Sequence, residues 1–211
     1  METLKIKSKI ALATLLLVLC VTIVRAQDNT AAQQEAFSSS YTLEKSGDYT
    51  KAAEALKKVY DEKSYETNLR LGWLTYMGGS FTEACAYYQK AIALMPYGIE
   101  ARFGYINPAA ALGNWDQVIT QYNEILKTDP QNTTANYRLG YIYYGKADYN
   151  KAFTYFEKNV NLYPFDYDSL IMYAWTNFKL GKLREAKVLF NKALLNRPKD
   201  SSALEGLGLI K

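Results

Sequence analysis

Few residues in this sequence have the chemistry that catalysis or metal binding requires. The 211 residues include no histidine, so the commonest general base and the commonest metal ligand are both missing. Cys20 lies in an N-terminal apolar run, and a single further thiol, Cys85, forms neither an internal disulfide nor a two-cysteine zinc site. Asp166 and Asp168 lack the other ligands of a calcium loop. We therefore expect no enzyme, no metal and no cofactor, with Cys85 a buried thiol and Asp166 a helix cap.

Aromatic and arginine side chains are the residues that could bind a ligand. Aromatic residues form 14 % of the chain, and 19 residues are tyrosines. Exposed rings and arginines anchor many protein–protein contacts, and an arginine pairs with carboxylates or stacks on rings. Whether these side chains meet on one surface depends on the elements that carry them.

A repeat of 34 residues organises most of the chain. Four prolines follow one another at this spacing, Pro96, Pro130, Pro164 and Pro198, and so do four small residues, Gly79, Gly113, Ala147 and Gly181. A glycine in the left-handed conformation ends a first helix, and a proline, which cannot continue a helix, ends a second. Two residues after three of the prolines stand the predicted N-caps of the next unit, Asn132, Asp166 and Asp200.

One unit of the repeat fits a known pattern well. It carries, in order, Leu71-Gly72, Tyr76, Gly79, Phe81, Ala84, Tyr88, Ala91 and Pro96. On these residues the chain resembles the tetratricopeptide-repeat family. The resemblance implies an all-α fold, a right-handed solenoid of helical hairpins. We count five units, at 33–64, 65–98, 99–132, 133–166 and 167–200, followed by a capping helix at 201–211.

The resemblance also implies a ligand groove lined by the first helix of each unit. The matching positions hold Arg70, Trp73, Tyr76, Phe103, Asn107, Tyr137, Arg138, Tyr141 and Trp175. We expect this aromatic face to bind a protein or peptide segment, with Arg70 and Arg138 pairing with carboxylates or stacking on rings. The alternative is that the rings only pack between repeats. A chaperone-tail clamp is not expected, because Phe37, Tyr41, Arg70, Glu100 and Gly104 stand where that clamp uses lysines and asparagines.

Pro108 is the proline outside the 34-residue spacing. It falls within the predicted first helix of the third unit, where it removes a hydrogen bond and crowds the carbonyl of Gly104. Either this helix tolerates a kink, or Asn107 and Pro108 begin a new short helix. A kink could also free the Gly104 carbonyl to contact a ligand.

The N-terminus has the organisation of an export signal. Lysines within 1–9 precede an apolar run at 10–24, and Val24-Arg25-Ala26 resembles a cleavage site. We predict a signal peptide at 1–26, a lead-in at 27–32 and a periplasmic or secreted protein, with a membrane anchor through 10–24 as the alternative. Four of the 25 basic and one of the 21 acidic residues lie in 1–26, so the remainder has a net charge of only +1. No nucleic-acid partner is therefore expected.

Two functions fit these features. The first is a non-catalytic scaffold that binds a polypeptide segment in an aromatic groove outside the cytoplasm. The second is a structural subunit of a cell-envelope or outer-membrane assembly, in which the repeats make permanent contacts. After the leader, no stretch is apolar and long enough to be predicted as a membrane span.

Overall fold

The computed structural model describes residues 30–210, which consist of helices joined by short turns. Helix α1 occupies 30–45 and is followed by α2 (Tyr49–Lys57), α3 (Tyr65–Met77), α4 (Phe81–Leu94), α5 (Glu100–Ala111), α6 (Trp115–Thr128), α7 (Thr133–Gly145), α8 (Tyr149–Leu162), α9 (Tyr167–Lys179), α10 (Leu183–Asn196) and α11 (Ser201–Leu209). The predicted all-α class is confirmed. Helix α1 already includes 30–32, the end of the predicted lead-in, and the predicted signal peptide lies outside the described residues.

The chain divides after Pro96 into two compact units. Helices α1 to α4 form the first unit and α5 to α11 the second. Neighbouring helices pack in pairs, with α3 against α4, α7 against α8, α9 against α10, and α11 against α10. None of the helices within residues 30–210 has the length and apolar character needed to cross a membrane.

Three predicted N-caps are confirmed. Asn132 Oδ1 accepts a hydrogen bond from the Ala135 amide at 2.9 Å, Asp166 Oδ2 accepts one from Ser169 at 2.9 Å, and Asp200 Oδ1 accepts one from Ala203 at 2.8 Å. Each bond satisfies a backbone N–H that the first turn of a helix leaves without a partner. These caps fix the starts of α7, α9 and α11, which carry most of the candidate functional residues of the second unit.

The tight turns inside the hairpins need one residue in the left-handed conformation. Gly79, Gly113 and Gly181 have φ values of 81°, 75° and 74°. The corresponding residue between α7 and α8 is Ala147, with φ of 57°. Because a Cβ makes this conformation costly, Ala147 is a strained position.

Replacing Ala147 with glycine is expected to raise the free energy of unfolding by about 0.5–1 kcal/mol, because glycine adopts positive φ without the Cβ clash. Gly181→Ala is the matched control and should lower the same free energy by a similar amount. A Cβ at Gly181 meets no atom within 4 Å, so only the backbone conformation changes. Urea denaturation measures both variants, and equal stability of Ala147→Gly and wild type would contradict the strain.

The core lies between paired helices and sets how closely they approach. A Cβ at Gly72 would lie 2.9 Å from the Tyr88 ring, and a Cβ at Gly140 would lie 2.8 Å from the Phe156 ring. Only glycine leaves room for these rings, which are 3 % and 0 % exposed. With this side of α3 and α7 buried, other residues of the same helices remain at the surface.

Pro108 lies within α5, which is one continuous helix from Glu100 to Ala111. The alternative in which Asn107 and Pro108 begin a new helix is therefore wrong. The proline ring is buried, so its apolar contacts offset part of the cost of the hydrogen bond that it removes. Cys85 is also buried, at 8 % exposure, as predicted.

Candidate functional site

In the first unit, the Arg70 guanidinium is enclosed by side chains of α1. Its Nη2 lies 2.5 Å from Glu44 Oε2, and its Nε donates a hydrogen bond to Ser40 Oγ at 3.3 Å. The guanidinium carbon lies 3.9 Å from the centre of the Tyr41 ring. Arg70 is only 9 % exposed. The charge of this predicted ligand anchor is thus balanced within its own unit.

Glu44 also holds the exposed indole of Trp73, whose Nε1 donates to Glu44 Oε1 at 2.5 Å. Burial alone would raise the pKa of Glu44, but hydrogen bonds from Arg70 and Trp73 outweigh it and hold the pKa below its ordinary value. Trp73 is 37 % exposed, and its ring centre lies 6.1 Å from that of half-buried Tyr76. Because the indole is already oriented, a ligand that contacts it would lose little additional entropy.

In the second unit, α7 carries Tyr137, Arg138 and Tyr141. The two tyrosines are four residues apart and therefore stack on one helix face, with ring centres 6.4 Å apart and an interplanar angle of 25°. Tyr137 is half-buried against Phe156, whereas Tyr141 is 54 % exposed. Arg138 is exposed and forms neither an ion pair nor a hydrogen bond with any side chain or backbone group in residues 30–210.

A pocket of about 430 Å³ opens beside Arg138. The start of α7, the end of α8 and the start of α9 form its walls, and its lining includes Tyr137, Arg138, Asn159, Tyr163, Asp166 and Asp168. The pocket is large enough for one or two amino-acid side chains but small for an organic cofactor. It therefore suits part of a polypeptide.

The pocket places one cation opposite two carboxylates with different roles. Asp166 caps α9, as described above, while the Asp168 side chain is 63 % exposed and lies 3.7 Å from Arg197 Nη2. Burial raises the pKa of the Tyr137 hydroxyl, and the negative charge of Asp168 raises it further. Tyr137 is thus a neutral hydroxyl at physiological pH, able both to donate and to accept a hydrogen bond.

Asn159 contributes a buried acceptor to the pocket wall. It is 3 % exposed, and its Nδ2 donates to the Thr133 carbonyl at 2.9 Å. Its Oδ1 accepts no hydrogen bond from the described residues. A buried acceptor without a donor costs free energy, so a donor from a ligand would be favoured at this point.

Other predicted site residues lie elsewhere. Phe103 is half-buried with its ring edge-on to Tyr122 at 6.3 Å, and Asn107 is exposed on α5. Trp175 is half-buried and donates through Nε1 to Ser202 Oγ of α11 at 2.8 Å. The packing alternative therefore describes Phe103 and Trp175, while Tyr137 and Arg138 line the pocket.

Three pocket residues, Asn159, Tyr163 and Asp168, are missing from the predicted set. Asp168 has a sequence signal, because it is the second residue of its unit and the resemblance places a groove residue there. Asn159 and Tyr163 belong to the end of a second helix and the loop after it. No first-helix pattern could have identified them. Within residues 30–210, no three cysteine or acidic side chains are grouped so as to hold a metal ion.

Sequence models of the tetratricopeptide repeat match residues 40–99, 133–166 and 167–200, together more than half of the chain. The chain belongs to the tetratricopeptide-repeat family. Tetratricopeptide repeats are in general non-catalytic scaffolds whose stacked helices provide binding surfaces for proteins. The family assignment agrees with the all-α array of helical pairs described above.

Similar proteins carry the same repeat. The TPR repeat-containing protein YpiA of Bacillus subtilis (strain 168) is 26 % identical over 165 residues, which cover 76 % of this chain and 39 % of that protein. The chain thus spans well under half the length of this relative. A tetratricopeptide repeat protein from Parabacteroides merdae ATCC 43184 superposes with a TM-score of 0.72 at 22 % identity, covering 84 % of this chain and 71 % of that one. The MamA protein gives 0.69 at 22 % identity, covering 80 % and 93 %.

Proposed function

We propose that this protein is a non-catalytic scaffold that binds a polypeptide segment on the aromatic faces of its first helices, outside the cytoplasm. Arg138 carries the proposal. It is an exposed guanidinium without an ion pair among the described residues, and it lies beside two stacked tyrosines at the edge of a pocket. An arginine in such a setting forms two parallel hydrogen bonds with a carboxylate.

The pocket defines the chemistry of the segment that would bind. A side-chain or terminal carboxylate would pair with Arg138, and an apolar side chain would pack on the exposed Tyr141 ring. A donor next to that carboxylate, such as a backbone N–H or a lysine, would meet Asp168. Like charges at these places would be rejected, so the mixed charge provides orientation as well as affinity.

The first unit supports a different kind of contact. Arg70 is neutralised by Glu44, so it offers a ligand little free charge. Trp73 and Tyr76 are held in place next to it and provide an apolar surface. We therefore assign aromatic packing to the α3 face and ion pairing to the α7 face.

Site-specific photocrosslinking in cells tests the proposal. A benzophenone amino acid replaces Tyr141, which is 54 % exposed, and in a control protein it replaces Val188, which is 62 % exposed on α10. We expect a covalent adduct with one protein at Tyr141 and none at Val188. Adding Arg138→Glu should reduce the adduct at least tenfold, because reversal of a charge at a paired site costs about 2 kcal/mol or more.

The outcome that would overturn the proposal is an adduct whose yield does not respond to Arg138→Glu. Stoichiometric co-purification that survives both Arg138→Glu and Trp73→Ala would instead support a structural subunit of an envelope assembly. The proposed location rests on the apolar run and cleavage-site pattern within 1–26. Fractionation with N-terminal sequencing should find a chain that starts at Gln27 outside the cytosol, and a full-length cytosolic chain would contradict export.

A further inference from the structure

Helix α11 differs from the other first helices in what covers it. The first helices α3, α5, α7 and α9 have their fourth and eighth residues buried, except that the burial at α5 falls on its third and seventh: Asn68 and Gly72, Arg102 and Ile106, Asn136 and Gly140, Leu170 and Ala174. In α11 the corresponding residues are Leu204 and Gly208. Leu204 is 49 % exposed and Gly208 is exposed. The opposite side of α11 is buried through Ala203 and Gly206 against α10.

The eighth position is where a second helix inserts an aromatic ring. Tyr88 of α4 fills the space over Gly72, and Phe156 of α8 fills the space over Gly140, so that a Cβ at either glycine would lie within 3 Å of a ring atom. A Cβ at Gly208 would have no atom within 4 Å. Among the described residues no second helix covers this face, so the site that receives a ring in α3 and α7 is open in α11.

We propose that the Leu204–Gly208 face of α11 binds an amphipathic helix of another polypeptide, in the way that α8 covers α7. The chain's own second helices define the chemistry of that partner. They bury a small or apolar residue, an aromatic residue four positions later and a small or apolar residue three positions after that, as in Ala84, Tyr88 and Ala91 or Ala186, Phe190 and Ala193. The aromatic ring of the partner would lie on Gly208, and its small residues would allow the helix backbones to approach.

Neither this chain's N-terminus nor a second folded copy supplies such a helix. Residues 1–29 contain no phenylalanine, tyrosine or tryptophan, so they cannot provide the ring. In a second copy, α4, α8 and α10 are already packed on α3, α7 and α9. The face is apolar at Leu204, where two of the four covered helices have a buried asparagine, and this favours a partner without a polar group at the point of contact.

The α8 sequence is a suitable probe because its ring already fits a glycine of this chain. A fluorescent synthetic peptide of residues 147–164 is titrated with the full chain, and binding is followed by anisotropy. We expect saturable binding that weakens at least tenfold when the peptide carries Phe156→Ala, and at least tenfold when the protein carries Gly208→Leu, which fills the site. Gly145→Leu is the matched control in the protein, because Gly145 is also an exposed helical glycine with no atom within 4 Å, and it should change the affinity less than twofold.

Circular dichroism and thermal unfolding first establish that both leucine variants are folded. Absence of binding at millimolar peptide would overturn the proposal, and so would equal affinity of wild type and Gly208→Leu, since the peptide would then be replacing α8 at Gly140. The photocrosslinking at Tyr141 has an independent readout, so either proposal can fail while the other stands.

Discussion

Replacing Phe190 with alanine is expected to lower the free energy of unfolding of the second unit by about 3–5 kcal/mol. The ring is fully buried and lies edge-on to Trp175, with ring centres 5.0 Å apart. Its other buried neighbours include Ala174, Ala186, Ala193 and Ala203. Alanines cannot extend into the space that the ring would leave, so the cavity would remain and the cost should fall in the upper part of the range.

Leu195→Ala is the matched control for the loss of Phe190. Leu195 lies on the same helix but is 75 % exposed, so its truncation should change the free energy of unfolding by less than about 0.5 kcal/mol. Guanidinium denaturation followed by tryptophan fluorescence measures both variants, because Trp175 contacts the ring that is removed. A loss below about 1.5 kcal/mol for Phe190→Ala would show that α11 collapses onto α10 and that no cavity remains.

Local chemistry made part of this structure predictable from sequence. Capping acts over three residues, so Asn132, Asp166 and Asp200 were identifiable from their place after a proline. The all-α class follows from the spacing of glycines and prolines. Ala147 was grouped correctly with the glycines by spacing, but its strain is a property of the backbone conformation that the pattern alone does not contain.

The candidate site was less predictable because it depends on contacts between distant residues. Trp175 stands at a groove position of its unit, yet it donates to Ser202, 27 residues further along the chain. No repeat unit can predict this, since the contact exists only because α11 covers the end of α9. The pocket similarly combines Arg138 with Asp168 and Asn159 from three helices, of which a first-helix pattern identifies two at most.

Arg70 and Arg138 show the same limit most directly. Both occupy the sixth position of a unit, so sequence reasoning treats them alike. Arg70 pairs with Glu44 of α1, while Arg138 has no corresponding acid within reach of its guanidinium among the described residues. The different function proposed for the two arginines thus depends on a single carboxylate, and the energy of the Glu44–Arg70 pair is the quantity to measure.

Replacing Glu44 with alanine is expected to lower the free energy of unfolding of the first unit by about 2–3 kcal/mol. Removing one partner of a buried ion pair leaves an uncompensated charge, and Arg70 is 9 % exposed with Glu44 at 24 %. The variant also loses the hydrogen bond from Trp73. The double variant Glu44→Leu, Arg70→Met should recover most of this loss, because an apolar pair replaces the ions without leaving either charge buried.

The pH dependence of stability distinguishes the charge of Glu44 from its shape. The folded-state pKa of Glu44 lies below its ordinary value of 4.5, so its contribution is present above pH 4.5 and is lost as the pH falls through the folded-state value. Glu44→Gln preserves the size and removes the charge. The difference in unfolding free energy between wild type and Glu44→Gln, measured in urea, should therefore be largest near pH 7 and shrink by pH 3. A difference that stays constant over this range would mean that the carboxylate does not stabilise Arg70 through its charge, and Arg70 would again be a candidate anchor for an acidic ligand.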